Sequence, residues 1–252
     1  MWERRLLICY DACMVVNTRC VAVSFLLSVG LMLSLSVPLV AQTDELERID
    51  EATDVLNELA FADDGQIPAS IREDVQAVAV FPGTIKAGFI IGGHRGRGII
   101  SAVDEETGEW SLPAFLTLTG GSFGLQIGAQ SVDVVLLIMN RPGLERFLSN
   151  QFTIGADASV AAGPVGRDAQ AATDIQLRAE ILGYSRSRGL FAGMSLEGTS
   201  IHQDRDANER IYGFPYRTHA IVLESEATPP DEDIVAGWQE WLTTHLWSVD
   251  EP

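Results

Sequence analysis

Cysteine is confined to the first twenty residues of this chain, at Cys9, Cys13 and Cys20. The remaining body of the protein therefore offers no disulfide framework, no thiolate zinc site and no catalytic cysteine. A chain of 252 residues, 46% of them hydrophobic, is long enough to bury a sizeable apolar core without such cross-links. The composition is that of an ordinary globular protein.

Positive charge is also scarce in the sequence. Lys86 is the only lysine, and the formal net charge at pH 7 is −18. A protein that binds nucleic acid needs a surplus of cations to replace the counterions condensed on the phosphates, so we exclude nucleic acid as a main partner. The same acidity weakens any non-specific attraction to anionic membranes.

Motifs for catalysis and metal binding are missing as well. The chain has four histidines and no HExxH motif, so we expect no metal and no other cofactor. Residues 120–124, GGSFG, match the letters G-x-S-x-G, but an alternating strand follows where a nucleophile elbow requires a helix. The acidic segment 202–209, HQDRDANE, lacks the glycine and terminal glutamate of a calcium loop and is interpreted as a solvated turn. We therefore predict that the protein is not an enzyme.

An apolar, uncharged run occupies residues 21–37 and is preceded by Arg4, Arg5 and Arg19. A basic segment followed by an apolar run and small residues is typical of a secretory signal. We predict a signal peptide over residues 1–41, and hence an exported protein of the periplasm or envelope. The alternative is an uncleaved membrane anchor, since about 17–25 apolar residues can span a bilayer.

Helical spacing of apolar residues flanks the middle of the chain on both sides. Residues 42–66 are predicted to form an amphipathic helix, with Leu46, Ile49, Thr53, Leu56 and Ala60 on its apolar face. Residues 224–252 are predicted to be a linker followed by a helix that carries Ile234, Trp238, Trp241 and Leu242 on one face. The tryptophans would either pack in the core or a partner's groove, or anchor the helix at the headgroup level of a membrane.

The intervening residues, 67–223, change to a period of two, which indicates half-buried strands. The alternation is clear in residues 123–130 (FGLQIGAQ), 152–161 (FTIGADASVA) and 174–182 (DIQLRAEIL), and short helices are predicted at 68–74 and 143–150. The predicted fold class is α+β. It consists of a β-rich domain with a curved antiparallel sheet, closed as a barrel or stacked as a sandwich, between N- and C-terminal helices.

Four segments of this domain resemble successive blocks of the SYLF (Ysc84-like) family. They are AVAVFPGTIKAGFIIGGHRGRG (77–98), WSLPAFLTLTGGSFGLQIGAQSVDVVLLIMN (110–140), GADASVAAGPVGRDA (155–169) and YSRSRGLFAGMSLEG (184–198). The resemblance implies a lipid-binding domain. In this family, eukaryotic members recognise phosphoinositides and some bind and bundle actin, whereas bacterial members are exported or envelope-associated.

The glycine-rich segment Gly92–Gly98, GGHRGRG, is the first candidate for a binding site. It is predicted to be a loop between two strands, in which backbone N–H groups and the side chains of His94, Arg95 and Arg97 would bind an anionic headgroup. The alternative is a mobile hairpin loop whose charges face water.

Three further cations complete the set of candidate lipid-binding residues. Lys86 lies in an apolar strand and resembles the family's KAG element, which makes it a candidate ligand contact. Arg186 and Arg188 alternate along one strand, so both would face one side and join Arg95 and Arg97 in a basic patch.

Taken together, the sequence predicts a non-enzymatic phospholipid-binding module of the bacterial envelope. Its glycine-rich and arginine-bearing loops would recognise phosphate-bearing headgroups. The alternative is a protein-interaction or structural module that docks a protein partner or self-associates as a homo-oligomer.

Overall fold

A computed structural model describes residues 38–61, 67–164, 179–187, 190–193, 196–228, 230 and 233–246. Residues from Asp44 onward form one compact unit. Of the preceding unit, Met1–Thr43, the description covers residues 38–43, the start of the first helix. The predicted signal peptide therefore falls mostly outside the described residues, as does Arg188.

The described elements are, in chain order, α1 (Pro38–Phe61), α2 (Ala69–Arg72), β1 (Ala77–Ala102), β2 (Ala114–Ile138), α3 (Arg141–Phe147), β3 (Gln151–Thr153), β4 (Val160–Ala162), β5 (Ile181–Ser187), β6 (Leu190–Gly193), β7 (Ser200–Gln203), α4 (Arg205–Tyr212), α5 (Thr218–Val222) and α6 (Asp233–His245). The predicted terminal helices are confirmed as α1 and α6. Helix α1 begins earlier than predicted, at Pro38, and ends at Phe61.

Strands β1 and β2 form one long antiparallel ribbon that dominates the sheet. Their pairing extends from Ala77 opposite Ile138 to Ile100 opposite Ala114. The ribbon bends back on itself, because the N–H of Val103, just after β1, donates to the carbonyl of Gln76, just before it, at 3.0 Å. The two arms of β1 are thereby brought together.

Two glycines make this self-packing possible. A Cβ at Gly98 would lie 2.2 Å from the carbonyl oxygen of Val80 and 2.5 Å from the ring of Phe81. A Cβ at Gly96 would lie 2.3 Å from the hydroxyl of Thr84. No side chain fits at such distances, so glycine at these positions allows the arms of β1 to contact each other.

The other strands extend this ribbon into a strongly curled half-barrel. The strand order is β3–β7–β2–β5–β4, with β1 added on β2 and β6 on β5. All pairs are antiparallel except β4 with β5. The predicted α+β class, with a curved and mainly antiparallel sheet between helices, is confirmed.

The terminal helices pack their apolar faces on the core. Helix α1 buries Ile49, Leu56 and Leu59, and α6 buries Trp238 completely. The indole N–H of Trp238 donates to Ser101 Oγ at 2.8 Å, and that of Trp241 donates to Asn57 Oδ1 at 2.5 Å. These two tryptophans therefore stabilise the domain rather than anchor it at a membrane surface. Within the described residues, no helix combines the length and the apolar character needed to span a bilayer.

Three local predictions were wrong. Residues 92–98 are part of the continuous strand β1 rather than a loop, because they pair with residues 116–122 of β2. Residues 152–161 are split between β3 and β4 by a turn in which Gly155 has φ of +84°. The segment HQDRDANE is largely helical, because Asp204 accepts a hydrogen bond from the N–H of Ala207 at 3.1 Å and so begins helix α4.

Replacing Gly98 by alanine is expected to lower the free energy of unfolding by about 2–3 kcal/mol, because the added methyl group collides with backbone. Gly237→Ala is the matched control. Gly237 lies inside α6 with open space around it, and this change is expected to stabilise the protein by up to about 1 kcal/mol. Urea denaturation measures both changes, and equal effects of the two substitutions would contradict the self-packing of β1.

Candidate functional site

An open cleft of ≈ 820 Å³ lies between the middle of α1 and the two arms of β1. Its lining residues are Asp44, Glu47, Arg48 and Glu51 from α1, and Pro82, Gly83, Ile85, Ala87 and Gly93–Arg97 from β1. The folding back of β1 creates this cleft, because it brings residues 82–87 of one arm and residues 93–97 of the other to the same cavity.

Arg95 and Arg97 form the cationic part of the cleft. Their two-residue spacing on β1 puts both side chains on one face of the strand, and both are exposed. Strand pairing and the close contact of Gly96 with Thr84 fix the backbone between them. Two guanidinium groups on a rigid strand are suited to bind an oxyanion with paired N–H donors.

His94 lies on the opposite face of β1 and is 9% exposed. Its Nε2 is 2.9 Å from the hydroxyl of Thr199, and the ring packs so closely on Gly120 that a Cβ there would be 2.4 Å from Nε2. Its buried Nδ1 has no hydrogen-bond partner in the part of the chain that the structure describes. Burial lowers the pKa of His94, and the charge of Lys86 lowers it further.

Lys86 lies near His94 rather than among the cleft arginines. Lys86 lies on the other arm of β1, where it pairs with Gln130 of β2, and its side chain is half-buried. Burial lowers the pKa of this ammonium group. The charge of Lys86 thus disfavours the protonated form of His94.

Arg186 is held between two carboxylates. It pairs with Glu58 of α1, and its Nε is 3.7 Å from Asp133 Oδ2 of β2. Asp133 also accepts the N–H of Gly83 at 2.9 Å, at the irregularity in β1. Arg186 therefore ties helix α1 to the sheet and does not line the cleft with Arg95 and Arg97.

A buried cation, Arg48, adjoins the cleft and was not among the predicted residues. Arg48 is 6% exposed and lies over the ring of Phe115, 5.3 Å from its centroid. Its Nη2 is 3.6 Å from Glu45 Oε1, and Glu45 also accepts a hydrogen bond from Arg210 at 2.7 Å. Burial lowers the pKa of Arg48, whereas Glu45 and then Asp204 oppose that shift.

The spacing of residues along α1 contains a signal that would have identified Arg48 as a buried cation. Glu45, Arg48 and Ala52 lie at i, i+3 and i+7, so they share a face of α1 beside the fully buried Ile49. A charged pair at that position implies a partner on another element, which the structure supplies as Asp204 and Arg210 at helix α4.

The two sides of the cleft carry charges of opposite sign. Three exposed carboxylates, Asp44, Glu47 and Glu51, stand on its α1 side, and the two exposed guanidiniums stand on its β1 side. Burial raises the pKa of Glu51, and the neighbouring charges of Glu47 and Asp133 raise it further. Within the described residues, no group of three or more metal-binding side chains is placed to hold a metal ion.

Acidification is expected to destabilise the fold partly through His94. Because the folded protein lowers the pKa of this imidazole, the unfolded chain takes up the proton first as the pH falls through about 6.5. Stability is therefore lost as the pH drops from about 6.5 through the lowered pKa of His94 in the folded protein. A His94→Gln variant is expected to lose less stability over that interval, as measured by urea denaturation at several pH values. An unchanged pH dependence in this variant would contradict the placement of His94.

Comparisons with known proteins show what this chain is similar to. A family model described as "Ysc84: Las17-binding protein actin regulator" matches residues 119–236, from β2 into α6. The match includes Arg186, whereas Arg95 and Arg97 lie before it.

Three relatives show the extent of the similarity. LAS seventeen-binding protein 3 of Saccharomyces cerevisiae is 34% identical over 173 residues, which cover 68% of this chain and 37% of that protein. Protein YSC84 of the same yeast is 32% identical over 176 residues, covering 69% of this chain and 37% of that protein. SH3 domain-containing YSC84-like protein 1 of Homo sapiens is 31% identical over 164 residues, covering 65% of this chain and 47% of that protein. The chain thus spans less than half the length of each of these relatives. It belongs to the Ysc84 (SYLF) family.

Proposed function

We propose that this domain is a non-enzymatic phospholipid-binding module that holds a phosphate-bearing headgroup between Arg95 and Arg97. The observation that carries the proposal is the pair of exposed guanidiniums on one face of β1, at an open cleft of ≈ 820 Å³. A cleft of this size is within the range of small-molecule sites. Arginine pairs bind phosphate oxygens through two parallel N–H contacts, which fixes orientation as well as affinity.

The strand context strengthens the case for these two arginines. A flexible loop would have to be ordered when the headgroup binds, at an entropic cost for every residue fixed. On β1 the backbone of Arg95 and Arg97 is already held by pairing with Thr119 and Thr117 of β2. Arg186, by contrast, is engaged by Glu58 and Asp133. The headgroup site therefore rests on β1 and not on the β5 arginine.

An apolar residue lies beside the cationic pair. Ile85 also lines the cleft and is 58% exposed, which is unusual for a large aliphatic side chain on a strand. Contact of Ile85 with the glycerol and upper acyl region of a lipid would remove this apolar surface from water. The cleft therefore offers both the polar and the apolar contacts of a phospholipid.

The double variant Arg95→Gln/Arg97→Gln is expected to weaken binding to vesicles of phosphatidylethanolamine and phosphatidylglycerol by at least about tenfold, because charge-assisted hydrogen bonds to phosphate are lost. The matched control is Arg141→Gln/Arg217→Gln, which removes the same charge from exposed positions that do not line the cleft. Vesicle co-sedimentation measures both. If the two double variants bind equally, the headgroup site is not at Arg95 and Arg97.

A second candidate function is a protein-interaction module. Among the described strands, β1 pairs with β2 alone, so its other edge offers backbone groups for an added strand. One yeast relative is named for a protein-binding role, as LAS seventeen-binding protein 3. If wild-type protein does not bind vesicles but self-associates in analytical ultracentrifugation, the result favours the protein-interaction function over lipid binding.

We propose further that the protein is exported to a bacterial envelope. The support is the uncharged apolar run at residues 21–37, behind Arg4, Arg5 and Arg19. Intact-mass spectrometry of the full-length chain expressed in a bacterium tests this proposal. We expect a mature protein that begins at Gln42, and a product that retains residues 1–41 in the cytosol would contradict export.

A further inference from the structure

The two sides of the cleft carry opposite charges that do not neutralise each other. Asp44, Glu47 and Glu51 lie at i, i+3 and i+7 of α1, so they form one exposed stripe along the cleft. Within the described residues, none of these carboxylates forms an ion pair with Arg95 or Arg97. The two sets of charges line the same cavity but are too far apart for direct salt bridges.

The other charged residues of α1 do not cancel the stripe. Glu45 and Arg48 turn toward helix α4, where they contact Arg210 and Asp204. Glu58 pairs with Arg186. The carboxylates of the stripe also repel one another, and the pKa of Glu51 is raised by burial and then by Glu47 and Asp133. The carboxylates on the α1 side of the cleft would therefore be stabilised by a positively charged group of a ligand.

A ligand with a negative and a positive group can bridge the two sides, whereas a ligand of one sign cannot. We propose that the cleft selects phospholipid headgroups that carry an amine next to the phosphate, as in phosphatidylethanolamine, over headgroups that are only anionic. The phosphate lies at Arg95 and Arg97, and the ammonium group, with its three N–H donors, lies at Glu47 and Glu51. This inference rests on the proposed phosphate site and adds the identity of the headgroup.

An anionic headgroup is disfavoured for a physical reason. A glycerol headgroup on the phosphate brings no charge to the α1 stripe and leaves its carboxylates facing the negative bilayer surface. Arg48 offsets this repulsion only in part, because its charge lowers the pKa of Glu51 but its guanidinium is buried and engaged by Glu45 and Asp204. Selectivity therefore comes from the carboxylates of α1, which repel anionic headgroups, as much as from the arginines of β1, which attract the phosphate.

The test compares phosphatidylcholine vesicles that contain either phosphatidylethanolamine or phosphatidylglycerol. Wild-type protein is expected to prefer the former. Glu47→Gln/Glu51→Gln is expected to reduce this preference about fivefold, because the two charge contacts with the ammonium group are lost. Soluble glycerophosphoethanolamine is expected to compete with the vesicles, whereas inorganic phosphate competes more weakly. Equal competition by the two solutes would overturn the proposal.

A matched control distinguishes selection by the α1 stripe from general repulsion between an acidic protein and an anionic vesicle. Glu105→Gln/Glu106→Gln removes the same charge at exposed positions between β1 and β2, away from the cleft lining. If this control changes the preference as much as Glu47→Gln/Glu51→Gln does, the α1 stripe does not select the headgroup.

Failure of the selectivity and failure of the phosphate site give different results. If Arg95→Gln/Arg97→Gln abolishes binding but wild-type protein binds both vesicle types equally, the phosphate site stands and the amine contact is refuted. If Arg95→Gln/Arg97→Gln leaves binding intact while the α1 variant alters the preference, the site at Arg95 and Arg97 is refuted.

Discussion

The contact of strand β1 with itself is the constraint on which the rest of this structure depends. Gly98 admits the carbonyl of Val80 and the ring of Phe81, and Gly96 admits Thr84, at distances where no side chain fits. This contact folds a 26-residue strand back so that both of its arms face helix α1. The bend brings Arg95 and Arg97 to the same cleft as the acidic residues of α1.

Helix α1 uses its charges in two ways around this bend. Glu45 and Arg48 are buried and fix the helix to α4, where breaking the pair would leave an uncompensated charge in the interior. Glu47 and Glu51, one helical face away, remain exposed to the cleft. A net charge of −18 does not rule out a local phosphate site, because Arg95 and Arg97 lie exposed together on β1. In the proposal, the exposed carboxylates of α1 contact a second, positively charged group of the ligand.

The sequence predicted those features that have a local signal. Apolar spacing identified α1 and the buried Trp238, and alternation identified a curved, mainly antiparallel sheet. The segment Gly92–Gly98 was misinterpreted as a loop, because glycine favours turns locally and only pairing with β2 makes it a strand. The partners of Arg186 could not be predicted either, since Glu58 is far away in the chain and comes near only through the packing of α1. Arg95 and Arg97 were predicted from the sequence as binding residues, which stays a prediction, and the structure shows that both are exposed. The acidic residues across the cleft belong to α1, and only the fold brings them to the same cavity.

The central claim, that a zwitterionic headgroup bridges β1 and α1, is tested most directly by an NMR titration of the isotope-labelled protein with glycerophosphoethanolamine. Two separate segments are expected to show saturable changes in their amide resonances, residues 93–97 of β1 and residues 44–51 of α1. Changes confined to one of these segments, or located away from the cleft, would contradict the account.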